Sequence, residues 1–206
     1  VDQDPRLPAE AEAVSKLERI EGDYYATPAW ATELILDELW LPTNARILDP
    51  SAGEGAILDV AAARGFTTCG YEIDGIRAGN CRNRHSTIQC DALGPAPWCH
   101  ASAIVGNPPF SKALEFAEKA AQWAEAHGTV AALLLRLAFA ESKSRVEFHR
   151  SYPSALRVLS ERPRFRVDTR GTDSSAYAWF VWDRRYQPMV EGWRVLARKE
   201  GAQCKG

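Results

Sequence analysis

Asn107-Pro108-Pro109-Phe110 sets an amide, a stiff backbone and an aromatic ring in four consecutive residues. The Asn side-chain oxygen and a neighbouring main-chain carbonyl are both acceptors. Together they can grip an amino group while the ring offers a flat face, which is the chemistry needed to hold the exocyclic amine of a base swung out of its stack. A bare turn is the competing reading, since Asn and Pro are common turn formers. Three carboxylates argue for more. Asp49, Glu72 and Asp91 each close a short run with strand character, and the first opens Asp49-Pro50-Ser51-Ala52-Gly53-Glu54-Gly55. Glycines there let the backbone pass close to a ligand, and a carboxylate four positions before Gly53 can take an ammonium group.

The flanking residues define the elements that must position these groups. Residues 101–105 are a short apolar run, and the two prolines after them have no N–H to continue a ladder. The strand therefore stops at its carboxyl edge, where open α/β sheets bind their ligands, and a helix is expected over 112–125. Residues 46–49, the glycine turn and a helix over 56–64 make a strand–turn–helix unit of the nucleotide-binding kind. A strand over 67–74 ends roughly twenty positions after that turn, where a ribose-binding carboxylate belongs. A third strand is expected over 87–91, and 129–135 reads as a continuous apolar strand of a covered parallel sheet. Residues 156–160 and 177–182 are the last strong strands, and 193–197 a short additional one. Earlier, Val14, Leu17 and Ile20 mark one side of a helix over 9–20. Thr27 is a natural N-cap for a helix running to Trp40, with Pro28 at its first position and Trp30, Leu34, Ile35 and Leu39 as its buried stripe. Thr27 suits a ligand carboxylate equally well.

With 206 residues, 46% hydrophobic and 25% charged, the chain has the composition of one globular domain. No apolar run reaches membrane-span length, and the acidic N-terminus shows no secretory core. Five cysteines without a C-x-x-C pair read as reduced thiols in a cytoplasmic protein, with no metal site. Charge is uneven. Residues 1–135 hold 10 Lys and Arg against 19 acids, and residues 136–206 hold 15 against 8. The arginines at 157, 162, 164, 166 and 170 point to a phosphate-contacting surface on a long basic loop at about 161–176.

Taken together, these motifs resemble the class I S-adenosylmethionine-dependent methyltransferases, and more narrowly the DNA adenine amino-methyltransferases of small phage type. Asn107–Phe110 matches their catalytic motif. Asp49 to Gly55, Glu72 and Asp91 match the cofactor motifs in order, and Tyr25-Ala26-Thr27-Pro28 their N-terminal cofactor motif. The resemblance implies an α/β, Rossmann-like fold: a mostly parallel seven-stranded sheet with helices on both faces. It implies an extension at 1–22, a single methyltransferase domain over 23–200 and a tail at 201–206.

The same resemblance implies roles. Tyr25 and Thr27 would flank the methionine end of S-adenosylmethionine, with Thr27 on its carboxylate. Asp49 would take its ammonium, with Ser51 beside it and Gly53 giving close approach. Glu72 would bind the ribose hydroxyls, Ile73 would pack on the adenine, and Asp91 and Ala92 would meet its amine edge. Asn107 and the Pro108 carbonyl would accept from the target amine, with Pro109 completing the catalytic quartet and Asn107 also bordering the cofactor. Phe110 would stack on the target base, with Phe165 as a second contact and Arg162, Arg164 and Arg166 on the nucleic acid. The implied partner is double-stranded DNA with its adenine flipped out. Little chain remains for a separate recognition domain, so recognition falls to residues 138–154 and 161–176 or to a second copy in a homodimer. RNA, a protein glutamine amide, and a silent fold that only binds nucleic acid are the alternatives.

Overall fold

Apolar strands at the middle of the chain set the architecture. The computed structural model describes residues 25–95, 97–165, 175–185 and 192–198. The helix expected over 9–20, Arg166 and Arg170 lie outside them. One sheet has the order β3-β2-β1-β4-β5-β7-β6-β8. Its strands are β1 (Arg46–Asp49), β2 (Thr67–Glu72), β3 (Ser86–Gln89), β4 (Ala103–Gly106), β5 (Val130–Arg136), β6 (Ala155–Leu159), β7 (Tyr177–Asp183) and β8 (Trp193–Leu196). All neighbours pair parallel except β7, which runs antiparallel between β5 and β6. The sheet thus has eight strands where the resemblance implies seven, the eighth being the short run expected over 193–197. The short run at 193–196 hydrogen-bonds beside β6, but three of its four residues stay exposed, so it shows little of the alternation that reveals a strand.

Helices cover both faces. On one, α1 (Ala29–Glu38) and α2 (Ala56–Ala63) bury Ala31, Ile35, Leu36, Ile57 and Ala61 against β1, β4 and β5. On the other, α4 (Ala113–His127) presents Phe116, Ala117, Ala120, Ala121 and Ala124. The alanines let the helix lie close to the sheet. Gly128, in the left-handed region at φ 58°, ends it by donating its N–H to Ala124 O. A shorter α3 (Gly75–Arg82) is capped by Asp74, which accepts from the Arg77 N–H at 2.9 Å. Helix α5 (Val146–Ser151) packs Phe148 beneath β7. Among the described residues no helix is long and apolar enough to cross a membrane.

β1 pairs with β2 on one side and β4 on the other, so strand order reverses between β1 and β4. A crevice at that switch point is a consequence of the winding: successive crossovers leave in opposite directions there. Asp49 ends β1, and Asn107 follows the last residue of β4.

Candidate active site

A cleft of about 760 Å³ opens at the switch point. Its walls include Tyr25, Thr27, Asp49, Ser51, Glu72, Ile73, Asp91, Ala92, Asn107 and Pro109. Residues far apart in the chain, singled out from separate motifs, thus line one concavity. Gly53 is buried just behind it, and Pro108 is buried behind Pro109.

Asp49 is 1% exposed. The Ser51 N–H donates to its Oδ1 at 2.9 Å and the Ser51 hydroxyl at 3.3 Å. Burial pushes its carboxyl up to about 7, against the pull of the Ser51 hydrogen bonds, and the neighbouring Glu72 pushes in the same direction. Gly106 makes room for it, since a Cβ there would sit 3.1 Å from Asp49 Oδ1 and 3.0 Å from Pro50 Cδ. A buried carboxyl so poised, on a cleft wall, has the chemistry to receive a cation.

Glu72 is fastened by main chain. Gly53 N–H donates to Oε2 at 2.8 Å and Asp74 N–H to Oε1 at 2.8 Å, with Arg77 Nε 3.5 Å from Oε1. The Gly53 amide is therefore committed to Glu72, and Gly53, at φ 54°, shapes the turn while its N–H faces the protein. Each carboxylate oxygen keeps acceptor capacity for a hydroxyl. Ile73 beside it is 65% exposed, an apolar side chain left in solvent at a cleft wall. Asp91 lies two residues beyond β3, in a turn where its Oδ1 accepts from the Leu93 N–H at 2.9 Å; it does not end the strand itself.

Thr27 is not the helix cap. Pro28 holds that position, with extended ψ and no side-chain bond, and Ala31 N–H reaches Pro28 O at 3.0 Å. Thr27 Oγ1 instead accepts from Asn107 Nδ2 at 3.0 Å. The same Nδ2 donates to Tyr25 O at 3.1 Å. A carbonyl can only accept, so this contact settles which end of the Asn107 amide is nitrogen. Oδ1 is left buried with no hydrogen-bond partner. A buried acceptor without a donor is costly, on the order of 1–3 kcal/mol, and in native structures it calls for a cause.

The Phe110 ring sits in an aromatic cluster. Tyr25 stacks on it at 5.9 Å and 20°, Tyr177 lies at 5.6 Å, Phe165 at 6.3 Å, and the Arg136 guanidinium carbon 4.7 Å from its centroid. Phe165 packs beside Phe110, and any further ring stacking there must displace some of these contacts. Arg162 and Arg164 are exposed on the loop after β6. Arg157 is not part of that surface. It is 5% exposed and its Nε lies 2.7 Å from Glu38 Oε1, tying β6 to α1. Arg136 and Tyr177 escaped the residue-level reading. Arg136 is the one charge at the end of an apolar strand, which is a usable signal; Tyr177 opens β7 and carries none of its own.

No family model matches the chain, and no curated protein matches it by sequence. Solved structures match in shape. A class I S-adenosylmethionine-dependent methyltransferase from Listeria monocytogenes aligns with a TM-score of 0.63 at 13% identity, over 91% of this chain and 69% of its own. The modification subunit of a type I restriction enzyme from Vibrio vulnificus YJ016 gives 0.63 at 14%, over 93% of this chain, which spans 51% of that one. The 23S rRNA methyltransferase ErmE gives 0.58 at 20%, over 82% of this chain and 73% of its own. At such identities the likeness is one of fold, and that fold is the Rossmann-like one of class I methyltransferases.

Proposed function

We propose that this chain transfers a methyl group from S-adenosylmethionine to the 6-amino group of an adenine in DNA, flipped out of its duplex onto Asn107–Phe110. The observation that carries the reading is the orphaned Oδ1 of Asn107, a residue that lines the cleft and directly follows Gly106, which packs against the buried Asp49 carboxyl. The residues fit the cofactor: Asp49 for its ammonium, Glu72 for the ribose hydroxyls, and the exposed Ile73 for its adenine face. The cofactor supplies a methyl carried on a sulfonium.

The protein must make an unreactive nitrogen attack. An aromatic amine is a poor nucleophile because its lone pair is delocalised into the ring. Asn107 Oδ1 accepts one amine hydrogen and the Pro108 carbonyl the other, which favours a pyramidal nitrogen with its lone pair free. The prolines hold both acceptors in place, so little reorganises during reaction. Phe110, with Phe165 and Tyr177 behind it, supplies the stacking that offsets the few kcal/mol of flipping. The methylated nitrogen carries a positive charge until it passes its extra proton to solvent water, and no strong base is required beforehand. The exposed Arg162 and Arg164 meet backbone phosphates.

Shape neighbours named for rRNA and for restriction–modification leave the polymer to experiment. Labelled methyl transfer to duplex DNA, single-stranded DNA and RNA in parallel, followed by nucleoside analysis, tests the proposal. N6-methyldeoxyadenosine from duplex DNA is the expected product. Labelled N6-methyladenosine from RNA alone would move the substrate to RNA, and no transfer to any of the three would overturn the reading.

A further inference from the structure

The turn after β3 is held from behind. Lys119 projects from α4, half-buried, and its Nζ donates to Ala92 O at 2.7 Å and to Gly94 O at 2.8 Å. It lies 5.3 Å from the centroid of the Trp98 ring. Trp98, 5% exposed, donates its Nε1–H to the same Ala92 carbonyl at 2.8 Å. Within the turn, Asp91 Oδ1 accepts from Leu93 N–H, and Gly94 N–H reaches Asp91 O at 3.0 Å. A lysine on a helix usually carries its ammonium to water or to a carboxylate three or four residues away. This one converges with an indole on the carbonyls of a four-residue turn. Burial draws its pKa below the ordinary lysine value, against the pull of Asp91 and Cys90.

We propose that Lys119 is the positioning residue of the nucleoside end of the cleft, an ammonium on α4 that clamps the Asp91–Gly94 turn against which an adenine ring is held. The inference rests on the reading of the cleft as an S-adenosylmethionine site. Lys119 and the turn both line that cleft. Charge-assisted bonds to main-chain carbonyls fix the turn where neutral ones would let it breathe, and Ala92 and Asp91 can meet a purine edge only if the turn keeps its shape. The clamp acts on the adenosine half of a ligand alone. Asp49, at the other end, acts on the ammonium alone.

That division gives the test. Binding of 5′-methylthioadenosine, which lacks the amino-acid end, and of S-adenosylmethionine is measured by calorimetry on the intact chain. Lys119→Met is expected to weaken both ligands by the same factor, about tenfold or more for loss of two charge-assisted bonds. Lys119→Arg keeps charge and donors, and is expected to bring both back to within about threefold of the parent. Asp49→Asn is expected to weaken S-adenosylmethionine and leave methylthioadenosine unchanged, a split that general loosening of the fold would not produce. If Lys119→Met does not fold by thermal melting, Lys119→Gln, uncharged and shorter, carries the same comparison. Unchanged methylthioadenosine binding in the folded uncharged variant, or an Arg variant as weak as it, overturns the clamp. A parent protein that binds neither ligand overturns the cofactor reading itself.

Discussion

Neutralising Asp49 separates binding from stability. Its carboxyl is raised to about 7 by burial, so in the free protein it is half protonated near neutrality. If it receives the cofactor ammonium, only the ionised form binds. Roughly three quarters of the carboxyls are ionised at pH 7.5 and about 3% at pH 5.5. The ligand's own ammonium, with an ordinary α-amino pKa of about 7.7–8.0, gains protons over the same interval and takes back part of the loss. The two effects together leave affinity about 15-fold weaker at pH 5.5 than at pH 7.5. Asp49→Asn removes the charge and is expected to bind about 10- to 100-fold more weakly at pH 7.5, the worth of a charged hydrogen bond, with no loss on acidification. Stability moves the other way. A carboxyl whose folded pKa lies above its unfolded 3.8 holds a proton that the unfolded chain releases between about pH 4 and 7. Folding stability therefore falls as pH rises through that window, by up to about 4 kcal/mol. Asp49→Asn should melt at a higher temperature than the parent at pH 8 and at nearly the same one at pH 4. Calorimetric titration with S-adenosylmethionine from pH 5.5 to 7.5, with melts at the two extremes, checks both halves. A parent affinity that is flat across that range, or an Asn variant that binds as tightly as the parent, refutes the assignment.

Asn107→Ala is expected to lower methyl transfer by at least about a hundredfold, as removal of a fixed transition-state contact does, and to raise the cofactor dissociation constant only a few-fold through the freed Tyr25 and Thr27; single-turnover assays with separate titrations would expose near-normal turnover, which contradicts it. Arg164→Ala should weaken nucleic-acid binding across sequences and reduce the salt slope by about one. Arg157→Ala should leave that slope alone and destabilise the fold by about 1–3 kcal/mol, because the buried guanidinium that bonds Glu38 and Leu156 O is lost while Glu38 keeps Arg194; equal salt slopes in the two variants would erase the distinction. The Cys99 thiol, 3.0 Å from the Cys69 sulfur, is pulled below the ordinary thiol value, chiefly by its hydrogen bond with Cys69. Alkylation of Cys99 by iodoacetamide should therefore reach its plateau at a lower pH than that of free cysteine, and a rate profile that coincides with free cysteine's would contradict that.

Local pattern carried far in this chain where a feature is local. β1 was placed to the residue because an apolar triplet, an acid and a glycine turn are consecutive, and the prolines after β4 announce their own strand end. The edge of the sheet was harder. β8 is short and mostly exposed, so its pairing with β6 is set by tertiary contact and not by its own alternation. Misreadings came from partners distant in sequence. Thr27 has the chemistry of a cap, but its hydroxyl is taken by an amide 80 residues away. Arg157 stands in an arginine-rich stretch, yet its partner Glu38 is 119 residues distant and its guanidinium is buried against it. Lys119 looks like any solvated helix lysine until the turn it holds is folded against it.

The short segment ahead of α1 does for the Asn107 amide what a keyway does for a shaft. Asn107 could rotate by half a turn and fit the same space, exchanging nitrogen for oxygen. Tyr25 O, which can only accept, forbids it, and Thr27 Oγ1 accepts from the same nitrogen. A chain shortened to begin at Ala29 would retain every strand of the sheet and every residue of the Asn-Pro-Pro-Phe quartet. It would nonetheless have lost the means of telling one end of that amide from the other.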